Sequence, residues 1–165
     1  MNFGNAINKY RRARWLYLHH LELFAWFIRG WIYLIHNSFI PYKAVIGEGT
    51  ILGYKGIGIV IHSNAVIGKN CVIGTNVTIG GGGAGSNERI TEFDSVRGIV
   101  PVIGDNVQIS TGAKIIGNIV VGENAVIGAN AVVISDVPAG AVVGGVPAKV
   151  LYLRDDIKEK KQIEN

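Results

Sequence analysis

A single cysteine, Cys71, stands in a chain of 165 residues. That excludes an intrachain disulfide framework and a cysteine-based metal cluster, and it fits a reducing cytoplasm. Histidine is nearly as sparse. Of the four, His19, His20 and His36 precede residue 40, and His62 alone follows. Zinc sites take three or four protein ligands, so no metal is expected. Glycine is plentiful at 23, but without the period of three that collagen needs. The longest uncharged run, residues 30–42, is too short to cross a bilayer as a helix. No small-residue cleavage site follows the basic start, so a signal peptide is not expected. With 48% hydrophobic residues, disorder is excluded as the general state of the chain.

Acidic residues are scarce at the N-terminal end. Residues 1–43 hold Lys9, Arg11, Arg12, Arg14, Arg29 and Lys43 against Glu22 alone, a net of +5, which leaves about −1 for the remainder of a chain with net charge +4. Positive charge confined to one end suggests an anionic neighbour there, not nucleic acid wrapped over the whole protein. The segment "RRARWLYLHHLELFAWFIRGWIYLIHNSFIP" reads as one or two helices. Glu22, Arg29 and His36 are seven apart and define a narrow polar stripe among Leu, Ile, Phe, Trp and Tyr. Two fates fit these faces: burial against the main domain or another subunit, or docking on an anionic membrane surface, with aromatics at the interface and arginines over headgroups.

From residue 46 onward the chain repeats. Ile46 and Leu52, then Ile61, Ile67, Ile73 and Ile79, then Ile103, Ile109, Ile115, Val121, Ile127 and Val133 recur every six residues within each set. Three residues after most of these marks stands Asn or Gly, the types that enter the left-handed backbone region at least cost. The pattern predicts a tight corner every six residues, with short strands of β-branched residues between. A period of this kind signals a solenoid. Three sides of six close a triangular coil of 18, and each stacked aliphatic contributes on the order of 1.5–3 kcal/mol. About four such coils give a parallel β-helix. Cys71 falls among alternating small and aliphatic positions, as a buried residue and not a nucleophile.

One slot breaks the rule. In "GIVIHSNAVIGKNCVIGTNVTIG" glycine follows the aliphatic mark at Gly68, Gly74 and Gly80, but His62 stands at the first such slot. Eighteen residues on, at Gly80, the repeat opens into "GGGAGSNERITEFDSVRGIVP", residues 81–101. The insert therefore leaves the prism one coil above His62. Long inserts in compact repeats are usually functional. An imidazole titrates near neutrality and can take a proton from a hydroxyl, so His62 is the candidate general base. Glu88, Glu92 and Asp94 are candidates to orient it, and Arg97 to meet an acceptor.

The segment "GIVIHSNAVIGKNCVIGTNVTIGG" and the ending "IGDNVQISTGAKIIGNIVVGENAVIGANAVVISDVPAGAVVGGVPAKVL" resemble the serine acetyltransferase-like branch of the hexapeptide-repeat acyltransferases. The likeness covers residues 40–151. It implies a left-handed β-helix, acetyl-CoA as donor, direct transfer to an acceptor hydroxyl, a histidine base, and sites between the subunits of a homotrimer. Gly80 and Gly81 match the family's Gly-Gly at the loop root. Thr111 and Ala129 match small residues along the pantetheine, and Lys149 matches a basic position suited to CoA phosphates. Gly80 and Gly81 N–H groups are candidate oxyanion donors.

The acceptor side departs from the family pattern. Where serine acetyltransferases carry an Asp-His pair before the "GIV" run, this chain reads Gly53-Tyr54-Lys55. A family aspartate falls near Phe39, and an Arg-His falls at Ile99-Val100. The pattern resembles relatives in polysaccharide gene clusters. The expectation is an acetyl-CoA-dependent O-acetyltransferase acting on a sugar hydroxyl. Serine acetylation for cysteine synthesis is the enzymatic alternative, and a non-catalytic trimeric scaffold the alternative of another class. Three regions are expected: a helical segment 1–39, the β-helix 40–151 with its insert 81–101, and a charged tail 152–165. Cytoplasmic residence is expected, with a peripheral place at the inner membrane face if the N-terminal segment docks there.

Overall fold

The structure is a computed structural model that describes residues 4–82 and 100–154. Its core is a left-handed parallel β-helix. The strands are short: β1 Val45–Ile46, β2 Ile51–Leu52, β3 Val60–Ile61, β4 Val66–Ile67, β5 Val72–Ile73, β6 Thr78–Gly80 and β7 Val102–Ile103. After these come β8 Gln108–Ile109, β9 Lys114–Ile116, β10 Val120–Val121, β11 Val126–Ile127, β12 Val132–Val133, β13 Ala141–Gly145 and β14 Ala148–Leu153. They form three sheets, ordered β1-β4-β7-β10, β14-β13-β11-β8-β5-β2 and β12-β9-β6-β3. The three are called here the first, second and third faces. Among the described residues only β14 runs antiparallel, folding back on β13.

The register shows one coil per 18 residues: Ile61 pairs with Ile79, and Val102 with Val120. Across the insert the step doubles, with Val66 on Val102 and Ile79 on Ile115. The insert therefore adds the length of one further coil without shifting the stack. Every aliphatic mark named above is buried except Ile46, which is partly buried. Cys71 is fully buried, and its burial pushes the thiol pKa up, which disfavours the thiolate a nucleophile needs.

The corners divide into three kinds. Between the first and second faces, Gly49, Asn70, Asn106, Asn124 and Gly140 have positive φ. Between the second and third, Asn76, Gly112 and Asn130 do, as do Tyr54, Lys55, Gly56 and Gly58 in the first, enlarged turn. The third-to-first corner differs: Asn64, Gly82, Asn118 and Asp136 are not left-handed, although Gly117 beside Asn118 has φ 106°. Side chains close that turn instead. The Asn64 N–H donates to His62 Nδ1 at 3.1 Å, and the Val120 N–H to Asp136 Oδ1 at 2.8 Å. The expectation of a left-handed residue at the repeat's Asn or Gly position is thus corrected for one corner in three.

The N-terminal segment forms two helices, α1 Ala6–Leu18 and α2 Glu22–His36. Asn5 caps α1, its side chain accepting from the Ile7 N–H. The buried Tyr10 hydroxyl ties α1 to the prism, donating to the Ala44 carbonyl at 2.7 Å and accepting from the Ile46 N–H at 3.2 Å. Arg14 Nη1 adds bonds to the carbonyls of Tyr42 and Ala44 at 3.0 and 2.9 Å. The polar stripe lies elsewhere than its chemistry suggests. His36 is 4% exposed, and Arg29 turns over the Phe39 ring with 5.4 Å to the centroid. They share the inward side of α2 with Ala25 and Ile32, while the aromatic sides face out.

Candidate functional site

Above its first turn, the second-to-third corner is built from small residues. One above another stand Gly53-Tyr54, Gly74-Thr75, Ser110-Thr111 and Gly128-Ala129. The ladder bonds fix the stack: Gly74 N–H donates to Ile109 O, Gly112 N–H to Thr75 O, and Asn130 N–H to Thr111 O. Glycine is required at Gly74, where a Cβ would lie 2.6 Å from the Thr111 amide nitrogen. Thr111 and Ala129 are exposed on this edge. Its upper end reaches Gly144, which packs over Gly128 and pairs with Lys149 on β14. Thr111 and Ala129 therefore stack on one edge, and Lys149 stands at its upper end, where it also borders a pocket with Ser135 and Asp136. Thr75 joins the stack, its hydroxyl 3.4 Å from that of Thr111. The doubled step across the insert is the sequence signal for Thr75.

At the lower end of that edge is a residue the sequence reading noted only as a departure. Tyr54 is 81% exposed and left-handed at φ 46°, followed by Lys55 at φ 64°. A non-glycine residue in this region costs roughly 1–2 kcal/mol. Gly56 closes the turn against Ala6 and Leu52, which holds the pair in place.

His62 lies on the third-to-first corner, with Gly80 one coil above; its N–H donates to the Ile79 carbonyl at 2.8 Å. The placement of His62 beneath the insert root is as read from spacing. Gly80 and Gly81 stand on this corner and Thr111 and Ala129 on the second-to-third corner, so within one chain the third face separates them. A side of about six residues spans at most roughly 20 Å. The Gly80 carbonyl accepts from the Gly117 N–H at 3.1 Å, and a Cβ on Gly80 would meet Ile116 at 3.2 Å. Glu88, Glu92, Asp94 and Arg97 lie outside the described residues.

The His62 imidazole is exposed. Because Nδ1 accepts from the Asn64 N–H, the neutral ring carries its proton on Nε2 and presents a donor to solvent. A base acting through Nε2 needs the other tautomer, which gives up that bond. An exposed hydrogen bond of this kind is worth about 1 kcal/mol, so the change is accessible but not preset. Among the described residues no group of three or more His, Cys, Asp or Glu could hold a metal ion.

Residues 101–135 match the family described as bacterial transferase hexapeptide (six repeats). The six-residue repeat and the prism make the chain similar to the hexapeptide transferases of that description. Its curated relatives carry a narrower name. A serine acetyltransferase of Synechococcus elongatus is 36% identical over 147 residues, 89% of this chain and 56% of that protein. One of Escherichia coli is 33% identical over 160 residues, 97% of this chain and 55% of that protein. A solved serine acetyltransferase from Brucella abortus in complex with coenzyme A superposes with a TM-score of 0.77 at 35% identity, covering 90% of this chain and 55% of that one. The chain spans about half the length of the curated relatives it matches.

Proposed function

We propose that the protein is an O-acetyltransferase that moves acetyl from acetyl-CoA to an alcohol. The observation that carries this reading is the continuous edge from Thr75 through Thr111 and Ala129 to Lys149. Small side chains there leave backbone groups open to an extended ligand. In this reading the pantetheine arm lies along the edge, its phosphate end meets Lys149, and its thioester points down toward Thr75 and Tyr54. The CoA complex of the Brucella relative supports the donor assignment.

In the reaction the acceptor oxygen attacks the thioester carbonyl carbon. The acceptor's proton passes to a base, the tetrahedral oxyanion collapses, and CoA leaves as a thiolate that takes up a proton. His62 is the proposed base, after release of Nδ1 from Asn64. Since His62 and the donor edge lie on different corners of one prism, the proposed site is composite. A homotrimer would set the His62 corner of one subunit beside the small-residue edge of the next. The amide N–H of Gly81, next to the last ladder residue Gly80, would then meet the oxyanion.

The names of the relatives favour serine as acceptor over the sugar hydroxyl that the sequence puts first. The sugar reading rests on Gly53-Tyr54-Lys55, where an exposed phenol ring replaces the Asp-His pair that the resemblance leads one to expect. Flat aromatic faces suit sugar rings better than a small zwitterion. Thiol release from acetyl-CoA, measured with L-serine and with a panel of hexoses and nucleotide sugars, decides. Release with serine alone removes the sugar reading. Release with neither, despite CoA binding, leaves the scaffold.

A further inference from the structure

The N-terminal hairpin is inside out. On α2 the side facing α1 and the prism holds Ala25, Arg29, Ile32 and His36, whereas Phe24, Trp26, Phe27, Trp31 and Leu34 are all more than half exposed. Soluble helices bury the apolar face and wet the polar one. Exposed apolar surface of this density marks an interaction site. Between the helices runs an apolar groove lined by Leu16, Ile28 and Trp15, with Arg11 and Arg12 at its rim. Both arginines are exposed. Arg14 is different, being bound to backbone carbonyls of the prism. Glu22 is the only carboxylate on the hairpin.

We infer that the α1–α2 hairpin is a docking surface for an anionic lipid leaflet, lying flat with its aromatic face in the interface and Arg11 and Arg12 at the headgroups. Charge selects this occupant. A second copy of the hairpin would bring the same two guanidiniums with a single carboxylate to meet them, whereas a leaflet of anionic headgroups pairs with both. Length agrees: α2, at 15 residues, is about 22 Å long. No described helix is long and apolar enough to cross a membrane. Tryptophan and arginine around an apolar face are the composition of interfacial helices. The inference is independent of which alcohol is acetylated.

The test is co-sedimentation of the full chain with phosphatidylcholine vesicles, with and without about one-third phosphatidylglycerol. The expected result is binding to the anionic vesicles, a blue shift of tryptophan emission on binding, and release as salt is raised. Arg11→Gln with Arg12→Gln should weaken anionic binding by about 30-fold, at the usual contribution of a basic residue near such a surface. Trp26→Ser with Trp31→Ser should abolish the emission shift. Helical circular dichroism checks that both variants keep the hairpin. No sedimentation at low salt overturns the inference, as does binding that ignores the arginines. An oligomer that comes apart in the tryptophan variant, with no vesicle binding by the parent, assigns the face to a second copy and also overturns it.

Discussion

In the prism an apolar residue at a sixth position is inside; in the hairpin an apolar residue is more often outside. Ile61, Ile79 and Ile115 stack at zero exposure, while Leu34 of α2 is 79% exposed. Both stretches are rich in the same chemistry, so hydrophobicity alone does not say what a segment packs against. The prism satisfies its apolar residues within one chain because each coil is the floor of the next. The hairpin has one neighbour, the first coil, and can turn only one narrow side toward it. What remains uncovered has to meet something outside the chain.

The sharpest way to break this contrast is to make the same truncation in both regions. Ile79→Ala should lose about 2–5 kcal/mol, because the coils above and below hold the cavity open. Leu34→Ala should stay within about 0.5 kcal/mol in vesicle-free buffer. Urea unfolding midpoints read both. A large loss from Leu34→Ala would show that the hairpin face is already buried in solution.

The two functional edges of the prism can be separated in the same spirit. His62→Ala should lower turnover by at least about a hundredfold while CoA binding is kept. Thr111→Trp should instead raise the KM for acetyl-CoA by about tenfold or more, with little change in stability, since that side chain is exposed. Glu123→Trp, an exposed position on the corner between the first and second faces, should leave that KM unchanged if donor binding belongs to the small-residue edge. Equal effects of the two tryptophans would mean that the donor spans both corners.

Much of the prism was legible because its rule is geometric. A buried aliphatic every six residues implies the triangular coil, its left hand came from the family resemblance, and the spacing of His62 to Gly80 gave the right vertical neighbours. The same count, carried across the insert, also puts His62 and Thr111 on different corners, since they are not a whole number of coils apart. Asparagine was less informative. Asn70 and Asn64 occupy equivalent repeat positions, yet only Asn70 is left-handed. The residue permits that conformation without requiring it, and the His62 corner closes through a side chain instead. The hairpin was left open between two fates for a different reason. When nearly every position is apolar, the one polar stripe looks like the wet side, and only packing against the first coil shows that Arg29 and His36 face inward.

His36 offers the finest probe of the junction between the two regions. Its Nε2 lies 3.1 Å from Lys9 Nζ, and an ammonium has only donors, so the ring accepts there and is held neutral. Burial lowers its pKa first, and the positive charges of Lys9 and Lys55 lower it further. The unfolded chain therefore binds a proton at His36 in a range where the folded hairpin does not. Stability is full above the ordinary histidine value near about 6.5. It declines as pH falls from there toward the lower, folded value, because the unfolded state then takes up more protons. His36→Gln keeps an acceptor for Lys9 but does not titrate. Its unfolding midpoint, followed from neutral pH downward, should fall less steeply than that of the parent, and the two curves should diverge only below the ordinary histidine range. Parallel curves would mean that the junction opens far enough in solution to wet the ring, and the hairpin would then be hinged on the prism through Tyr10 and Arg14 alone.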